Sequence, residues 1–288
     1  MTSILERPFS GRAAQSRDMK VTIKAATDIG KVRDHNEDSF LTLGGKSSPP
    51  GFDALLVVAD GMGGHAAGEV ASQMTVDGIK RMLASEDLES PDLEGNAFGA
   101  FLGKVLESVN QEVWEAGQTP EKQGMGTTCT LAVIRGDQLF LAHIGDSRAY
   151  LLRDGELHQV STDHSWVEEA VAMGTLTREE ARVHPNRNVI TRAIGLDQQV
   201  KVDTCSMPLA NRDLILLCSD GLNSMIPDDE IKRALLDNGP KQVCQALIDA
   251  ANNAGGHDNT TVAIAVIGAP RERPESTRNI GADQDTQE

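Results

Sequence analysis

Three aspartates stand where apolar runs end or begin. Residues 54–59 form a continuous apolar run that stops at Asp60-Gly61. Leu214–Cys218 stops at Ser219-Asp220-Gly221, and Thr260–Ile267 is preceded by Asp258-Asn259. Upstream, Arg33-Asp34-His35-Asn36-Glu37-Asp38 abuts another strand-like run. One Asp-Gly alone marks a turn. Carboxylates brought from separate strands to one place repel one another unless cations lie between them. Oxygen donors without a His/Cys cluster suit hard ions, magnesium or manganese, rather than zinc.

The elements that must carry these residues are short. Strand-like runs cover 21–27, 39–43, 54–59, Cys129–Arg135, Gln138–Ile144, 149–152, 213–218 and Thr260–Ile267. Gly136-Asp137 and Asp154-Gly155 each separate two runs by two residues, which predicts hairpins. Phe98, Phe101, Leu102, Val105, Leu106, Val109 and Val113 follow helical spacing, as do Val243, Ala246, Leu247, Ala250, Ala251 and Ala254. A third helix is expected over 66–84. Strands arriving in hairpins and helices arriving in long pairs predict an α+β fold. Its form is a four-layer α-β-β-α sandwich, two mostly antiparallel sheets with helices on the outer faces.

Of 288 residues, 43 are acidic and 27 basic, a net charge of −16. Such a surface repels phosphate backbones and excludes nucleic acid and anionic membrane as default partners. It also argues against a two-metal nuclease, which needs basic stripes. Cys129, Cys205, Cys218 and Cys244 form no Cys-x-x-Cys pair and read as buried hydrophobes of a reducing compartment. No secretory h-region opens the chain, and the apolar runs are far shorter than the roughly 20 residues of a membrane span. A cytoplasmic location follows as an expectation. Residues 1–18 and 269–288 are polar and aperiodic and are expected to be flexible tails around one folded body, 19–268.

The ordered set Arg33…Asn36-Glu37-Asp38, Asp60-Gly61-Met62-Gly63-Gly64, Gly126-Thr127-Thr128, Gly145-Asp146-Ser147-Arg148, Ser219-Asp220-Gly221 and Asp258-Asn259 resembles one family. It is that of the metal-dependent Ser/Thr protein phosphatases of the 2C type, the PPM family, in its bacterial branch. The resemblance spans about 21–268 and implies the same sandwich, with a two-metal centre of manganese or magnesium at one edge. It implies that Asp60 bridges two metals, the Gly61 carbonyl binds one, and Asp220 and Asp258 hold the other. Glu37 and Asp38 act directly or through waters. Arg33 clamps the phosphate in a planar fork; the plainer alternative is a surface ion pair with Asp34 or Glu37. Water activated by the two metals attacks in line, without a phosphoenzyme. Substrates are then Ser/Thr-phosphorylated proteins, a cognate Ser/Thr kinase among them, acted on by a monomer. A dead binding module of this fold would have lost ligand aspartates, and none is missing.

Two features depart from the wider family pattern or extend it. Many eukaryotic members carry histidine where Met62 stands, and a thioether cannot protonate a leaving oxygen. His65 is a possible substitute, and a metal-held water is the expected donor. Residues 164–188 carry two capping patterns, Ser165-x-x-Glu168 and Thr177-x-x-Glu180, with Gly174 between them. They predict two short helices and resemble the flap that borders the site in bacterial members; the alternative is an ordinary helical hairpin. His164 and His184 read as anchors within this element, and Arg192-Ala193-Ile194-Gly195 as its closure onto the sheet. Gly126-Thr127-Thr128 reads as a close backbone approach. His143 and His257 receive no role. Asp146 is expected at a weaker third metal position, the alternative being a turn brace with Arg148.

Overall fold

The computed structural model describes residues 20–63, 67–84 and 95–268; the two expected tails and His65 lie outside the described residues. One sheet runs in the order β1 (Val21–Asp28), β11 (Thr260–Ile267), β10 (Leu214–Cys218), β7 (Arg148–Arg153), β8 (Glu156–Gln159). The other runs β2 (Asp38–Gly44), β3 (Ala54–Met62), β5 (Cys129–Arg135), β6 (Gln138–Ile144), β9 (Asp203–Pro208), with the two-residue β4 (Gly126–Thr127) against the end of β3. Every pairing is antiparallel.

Alternation along the strands explains why the runs are apolar without interruption. On β3, Leu55, Val57 and Ala59 face α1 (Ala67–Ala84) and α2 (Asn96–Ala116). Ala54, Leu56 and Val58 face the other sheet. On β10, Leu214, Leu216 and Cys218 turn outward. They meet α6 (Asp228–Asp237) and α7 (Val243–Asn253), which contribute Ile231, Leu247 and Ile248. Ile215 and Leu217 turn inward against the opposite sheet. Strands covered on both faces need apolar residues at every position. Truncating one such side chain, as in Leu56→Ala, costs about 2–5 kcal/mol. The four expected layers are therefore present, with a middle core between the sheets and an outer core under each helix layer.

The structure revises several boundaries. β3 does not stop at Ala59 but continues through Met62, because Gly61 and Met62 pair with Thr127 and Gly126 of β4. Asp220 opens the one-turn helix α5 (Asp220–Asn223). The Asp154-Gly155 hairpin has both residues at positive φ, 51° and 83°, the primed turn that suits strand twist. In residues 164–188, the expected flap, α3 (Trp166–Ala172) is capped by Ser165 and α4 (Arg178–Val183) by a reciprocal Thr177–Glu180 box. The Ser165 box is half-made: Glu168 turns its carboxylate to Arg178 instead. Among the described residues no helix is long and apolar enough to cross a membrane, and the four cysteines are free.

Candidate metal centre

Register brings the carboxylates to one end of the sandwich. Asp38 opens β2 directly opposite Asp60 on β3. Cys218 of β10 lies opposite Val262 on one side and Arg148 on the other. Asp220, Asp258 and the turn holding Asp146 therefore lie at the same end of the second sheet. The two sheets are stitched together there: Ser219 Oγ donates to Asp38 Oδ2 at 2.7 Å, and Thr261 also bonds Asp38. Asp60 is held by a threonine pair. Thr128 Oγ1 accepts from its N–H at 3.0 Å, while Thr127 Oγ1 and the Thr128 N–H donate to its carbonyl at 2.8 and 2.9 Å. Gly126-Thr127-Thr128 thus does more than permit a close approach, since it fixes the backbone of Asp60.

Small residues make the crowding possible. A Cβ on Gly61 would run into the Gly68 carbonyl oxygen of α1 and lie 2.5 Å from the Glu37 carbonyl oxygen. A Cβ on Gly68 would lie 2.7 Å from Glu37 Oε1. The Gly68 backbone also favours the charged form of the Glu37 carboxyl, and Ser72 Oγ donates to the Glu37 carbonyl at 2.6 Å. Asn259 completes the support: its Oδ1 accepts from the Glu37 N–H at 2.8 Å, and its Nδ2 donates to the carbonyls of Ile29 and His35.

The electrostatics are those of anions under compression. Burial first, and then repulsion from Asp38, Asp220, Asp146 and Asp258, holds Asp60 well above the ordinary carboxylate range. Asp38 is pushed up to about 7 by burial, against the bonds from Thr261 and Ser219. Asp220 is pushed up to about 6 by burial and Asp258, with a hydrogen bond to Asp60 opposing. Burial and Asp220 likewise raise Asp146, and burial raises Glu37. Three carboxylate oxygens, Glu37 Oε1, Asp38 Oδ1 and Asp146 Oδ1, are buried with no hydrogen-bond partner. Among the described residues no three His, Cys, Asp or Glu side chains are already drawn together as a metal-holding group. Several carboxylates are turned to protein donors: Asp258 accepts from Arg33 Nη2 at 2.7 Å, and Asp38 from Ser219. An all-oxygen, repelling set with orphaned buried oxygens nonetheless fits hard divalent cations and nothing softer.

The ion pair of Arg33 is with Asp258, 225 residues away, and not with its neighbours Asp34 or Glu37. Arg148 acts on Asp146 through its charge and not through a hydrogen bond. Its guanidinium is taken by Asp163 at 2.7–3.0 Å and by the Tyr150 hydroxyl. His164 is also not confined to the flap, because it bonds Gly145 and Asp203 of the core. His184 stays local, stacked on Trp166 at 4.8 Å. The closure by Arg192–Gly195 is present as a reciprocal Thr127–Ile194 backbone pair. A cleft of about 240 Å³ opens between flap and core, with Asp146 and Asp220 on one wall and Arg178, Arg182 and Arg187 on the other.

Two face-to-face antiparallel sheets flanked by helices, with aspartates of both sheets meeting at one edge, define the architecture of a phosphatase class. The protein phosphatase 2C family model matches residues 31–257, and the chain belongs to that family, among the bacterial PPM Ser/Thr phosphatases. It is 39% identical over 241 residues to the serine/threonine phosphatase Stp of Listeria monocytogenes, covering 83% of this chain and 92% of that one. The structure of Stp1 from Staphylococcus aureus superposes with a TM-score of 0.80 at 35% identity, covering 90% of this chain and 99% of that one. The catalytic domain of the phosphatase PstP, solved in complex with 2 manganese ions, gives 0.73 at 36% identity, covering 87% and 100%.

Proposed function

We propose that the carboxylate cluster is a two-cation centre, manganese or magnesium, that hydrolyses phosphoserine and phosphothreonine in proteins. The observation that carries this reading is the trio of buried, unpartnered oxygens on Glu37, Asp38 and Asp146 beside the mutually repelling Asp60 and Asp220. Asp60 and the Gly61 carbonyl would hold one ion, with Asp60 shared to a second held by Asp220 and Asp258. Glu37 and Asp38 would serve directly or through water, and Asp146 would serve a weaker third position. Divalent cations bound there supply the Lewis acidity that activates water near neutral pH and offsets phosphate charge.

The chain's own residues do the rest. Arg33, half-exposed beside Asp258, offers its remaining N–H groups to phosphate oxygens in a planar fork. Ser219, Thr261 and Thr128 keep Asp38 and Asp60 in place, so little reorganisation is needed when phosphate arrives. The cleft beside Asp146 and Asp220 receives polypeptide flanking the phosphorylated residue. The substrates include proteins phosphorylated by a cognate Ser/Thr kinase and the kinase itself. The four free cysteines suit a reducing cytoplasm, and a monomer contains the whole site.

The test is hydrolysis of a phosphothreonine peptide during a manganese titration, with a DNA oligomer as comparison substrate. Turnover of the peptide alone, lost with a chelator and in Asp60→Asn, is the expected result. Full activity of the metal-stripped protein, or cleavage of the oligomer, would overturn the reading.

A further inference from the structure

The flap joins the core through two posts, His164 and Thr191. Thr191 N–H donates to the His164 carbonyl at 2.8 Å, and the flap begins and ends at the adjoining Ser165–Ile190 bridge. His164 itself is 1% exposed and clamps Gly145 from both sides. Its backbone N–H donates to the Gly145 carbonyl at 2.7 Å, and its Nδ1 accepts from the Gly145 N–H at 3.0 Å. An amide N–H only donates, so Nδ1 carries the lone pair and Nε2 the proton. That proton points at Asp203 Oδ2, 3.1 Å away, and the other oxygen of Asp203 takes Arg192 at 2.8 Å. A carboxylate behind a histidine fixes its tautomer and ring orientation. The remaining charged or titratable neighbours are His143, whose ring lies 4.9 Å away, and Asp163.

Gly145 also packs closely against Thr128. A Cβ there would lie 2.5 Å from Thr128, and Thr128 Oγ1 meets Ser147 Oγ at 2.7 Å. The turn between these clamps contains Asp146, whose buried Oδ1 touches no donor. The backbone around Asp146 is thus fixed on both flanks while its carboxylate faces the cleft that the flap covers.

The geometry points to His164, oriented by Asp203, as a positioning residue that couples the seating of the flap to the Gly145–Asp146 turn; this rests on the phosphatase reading of the site. A flap that shifts must carry His164 with it, and His164 cannot move without releasing Gly145. Polypeptide pressing on the flap would therefore be felt at Asp146.

Ring ¹⁵N spectra of the metal-free protein test the orientation without any turnover. His164 should be protonated at Nε2 and bare at Nδ1 at neutral pH, and Asp203→Asn should perturb that signature. Kinetics test the coupling. In His164→Gln the amide can still reach Asp203 but not Gly145. Phosphopeptide kcat should fall by about tenfold or more with KM little changed, and the Gly145 amide should lose hydrogen-exchange protection. In His164→Asn the side-chain oxygen can replace Nδ1, and most of kcat should return. In an Asp146→Ala background, His164→Gln should add little further loss, since both act through one turn. An Nδ1-protonated ring, a wild-type kcat in His164→Gln, or losses that add in the double variant would each overturn the proposal. Should His164→Gln not fold, Asp203→Asn carries both the spectrum and the kcat test. Manganese-dependent turnover of the unmodified protein separates failure here from failure of the phosphatase reading.

Discussion

Asp38 and Asp60 stand directly opposite each other across β2 and β3, and each is held by a hydroxyl: Ser219 on the carboxylate of Asp38, Thr128 on the backbone of Asp60. Two carboxylates so placed oppose folding unless one is protonated or a cation intervenes. Asp60→Asn keeps the shape and removes the repulsion. The metal-free variant should therefore be more stable than the parent by about 1 kcal/mol, some 2–4 °C in Tm for a domain of this size. Its manganese-dependent turnover should be lost. Calorimetry in chelator beside a phosphopeptide assay checks both halves, and a less stable variant would mean that Asp60 is not the repelled group.

Gly68→Ala tests how closely α1 approaches the site. The new Cβ would lie 2.7 Å from Glu37 Oε1, 2.8 Å from the Gly61 carbonyl carbon and 2.9 Å from the Met62 nitrogen. Two of those atoms belong to backbone that cannot swing away. Overpacking of this kind costs about 1–3 kcal/mol, and here it displaces Glu37 and Gly61 together. A fall in Tm accompanied by weaker manganese activation is expected. Normal manganese activation at reduced Tm would confine the effect to packing.

Much of this was readable from residue order, and the exceptions have physical causes. Strands buried on both faces announce themselves as apolar runs, so β5, β6 and β11 have the bounds expected from sequence. β9, Asp-Thr-Cys-Ser-Met-Pro, is an edge strand with mixed burial and gave no such signal. α6 opens with Asp228, Asp229 and Glu230 behind Pro227 and buries only Ile231 and Leu235, too few for a clear period. The carboxylates at strand ends were visible because Asp-Gly repeats after apolar runs. Their supports were not: Thr128 for Asp60, Ser219 for Asp38 and Asn259 for Glu37 act across 68, 181 and 222 residues. The partner of Arg33 and the core attachment of His164 are long-range for the same reason.

Met62 ends β3, paired with Gly126, and carries no proton to give. With no side-chain acid at that position, turnover should depend steeply on the leaving group's ability to bear negative charge. Aryl phosphates should then react faster in the chemical step than alkyl phosphates of matched binding. A series of substituted phenyl phosphates measures the slope, and Met62→His should flatten it where the imidazole reaches the leaving oxygen. A flat series in the unmodified protein would show that another group already donates.

His143 sets a pH limit on stability. Burial first, and then the neighbouring His164, brings its pKa down to about 4 from an ordinary 6.5. Its ring is satisfied as a neutral group by Thr130 Oγ1 at 3.0 Å and the Thr162 carbonyl at 3.1 Å. Above pH 6.5 the histidine is neutral in folded and unfolded chains alike, and its contribution is fully present. Between 6.5 and 4 only the unfolded chain takes up the proton, so stability falls as pH falls, on the order of 3 kcal/mol across that window. Urea unfolding of the parent against His143→Gln, whose side chain does not titrate, isolates this group from the carboxylates. Parallel pH curves for the two proteins would show that His143 titrates normally.

Asp146 supplies the sharpest test of the cleft wall. The alternative in which it braces a turn with Arg148 is left with the charge of Arg148 alone, since the guanidinium bonds Asp163 and Tyr150. A buried carboxylate oxygen without a donor, such as Asp146 Oδ1, is costly to keep, and repulsion from Asp220 adds to that cost. A cation beside Asp146 and Asp220 would relieve both costs, and with few protein oxygens it would keep several waters and bind weakly. Asp146→Ala should therefore leave tight manganese binding in place and stabilise the metal-free fold. Phosphopeptide hydrolysis should slow by about tenfold or more, on the order of 1.4 kcal/mol of transition-state stabilisation. Calorimetric manganese titration should lose only the weak phase. Unchanged turnover at every manganese concentration would leave Asp146 a part of the turn and nothing more.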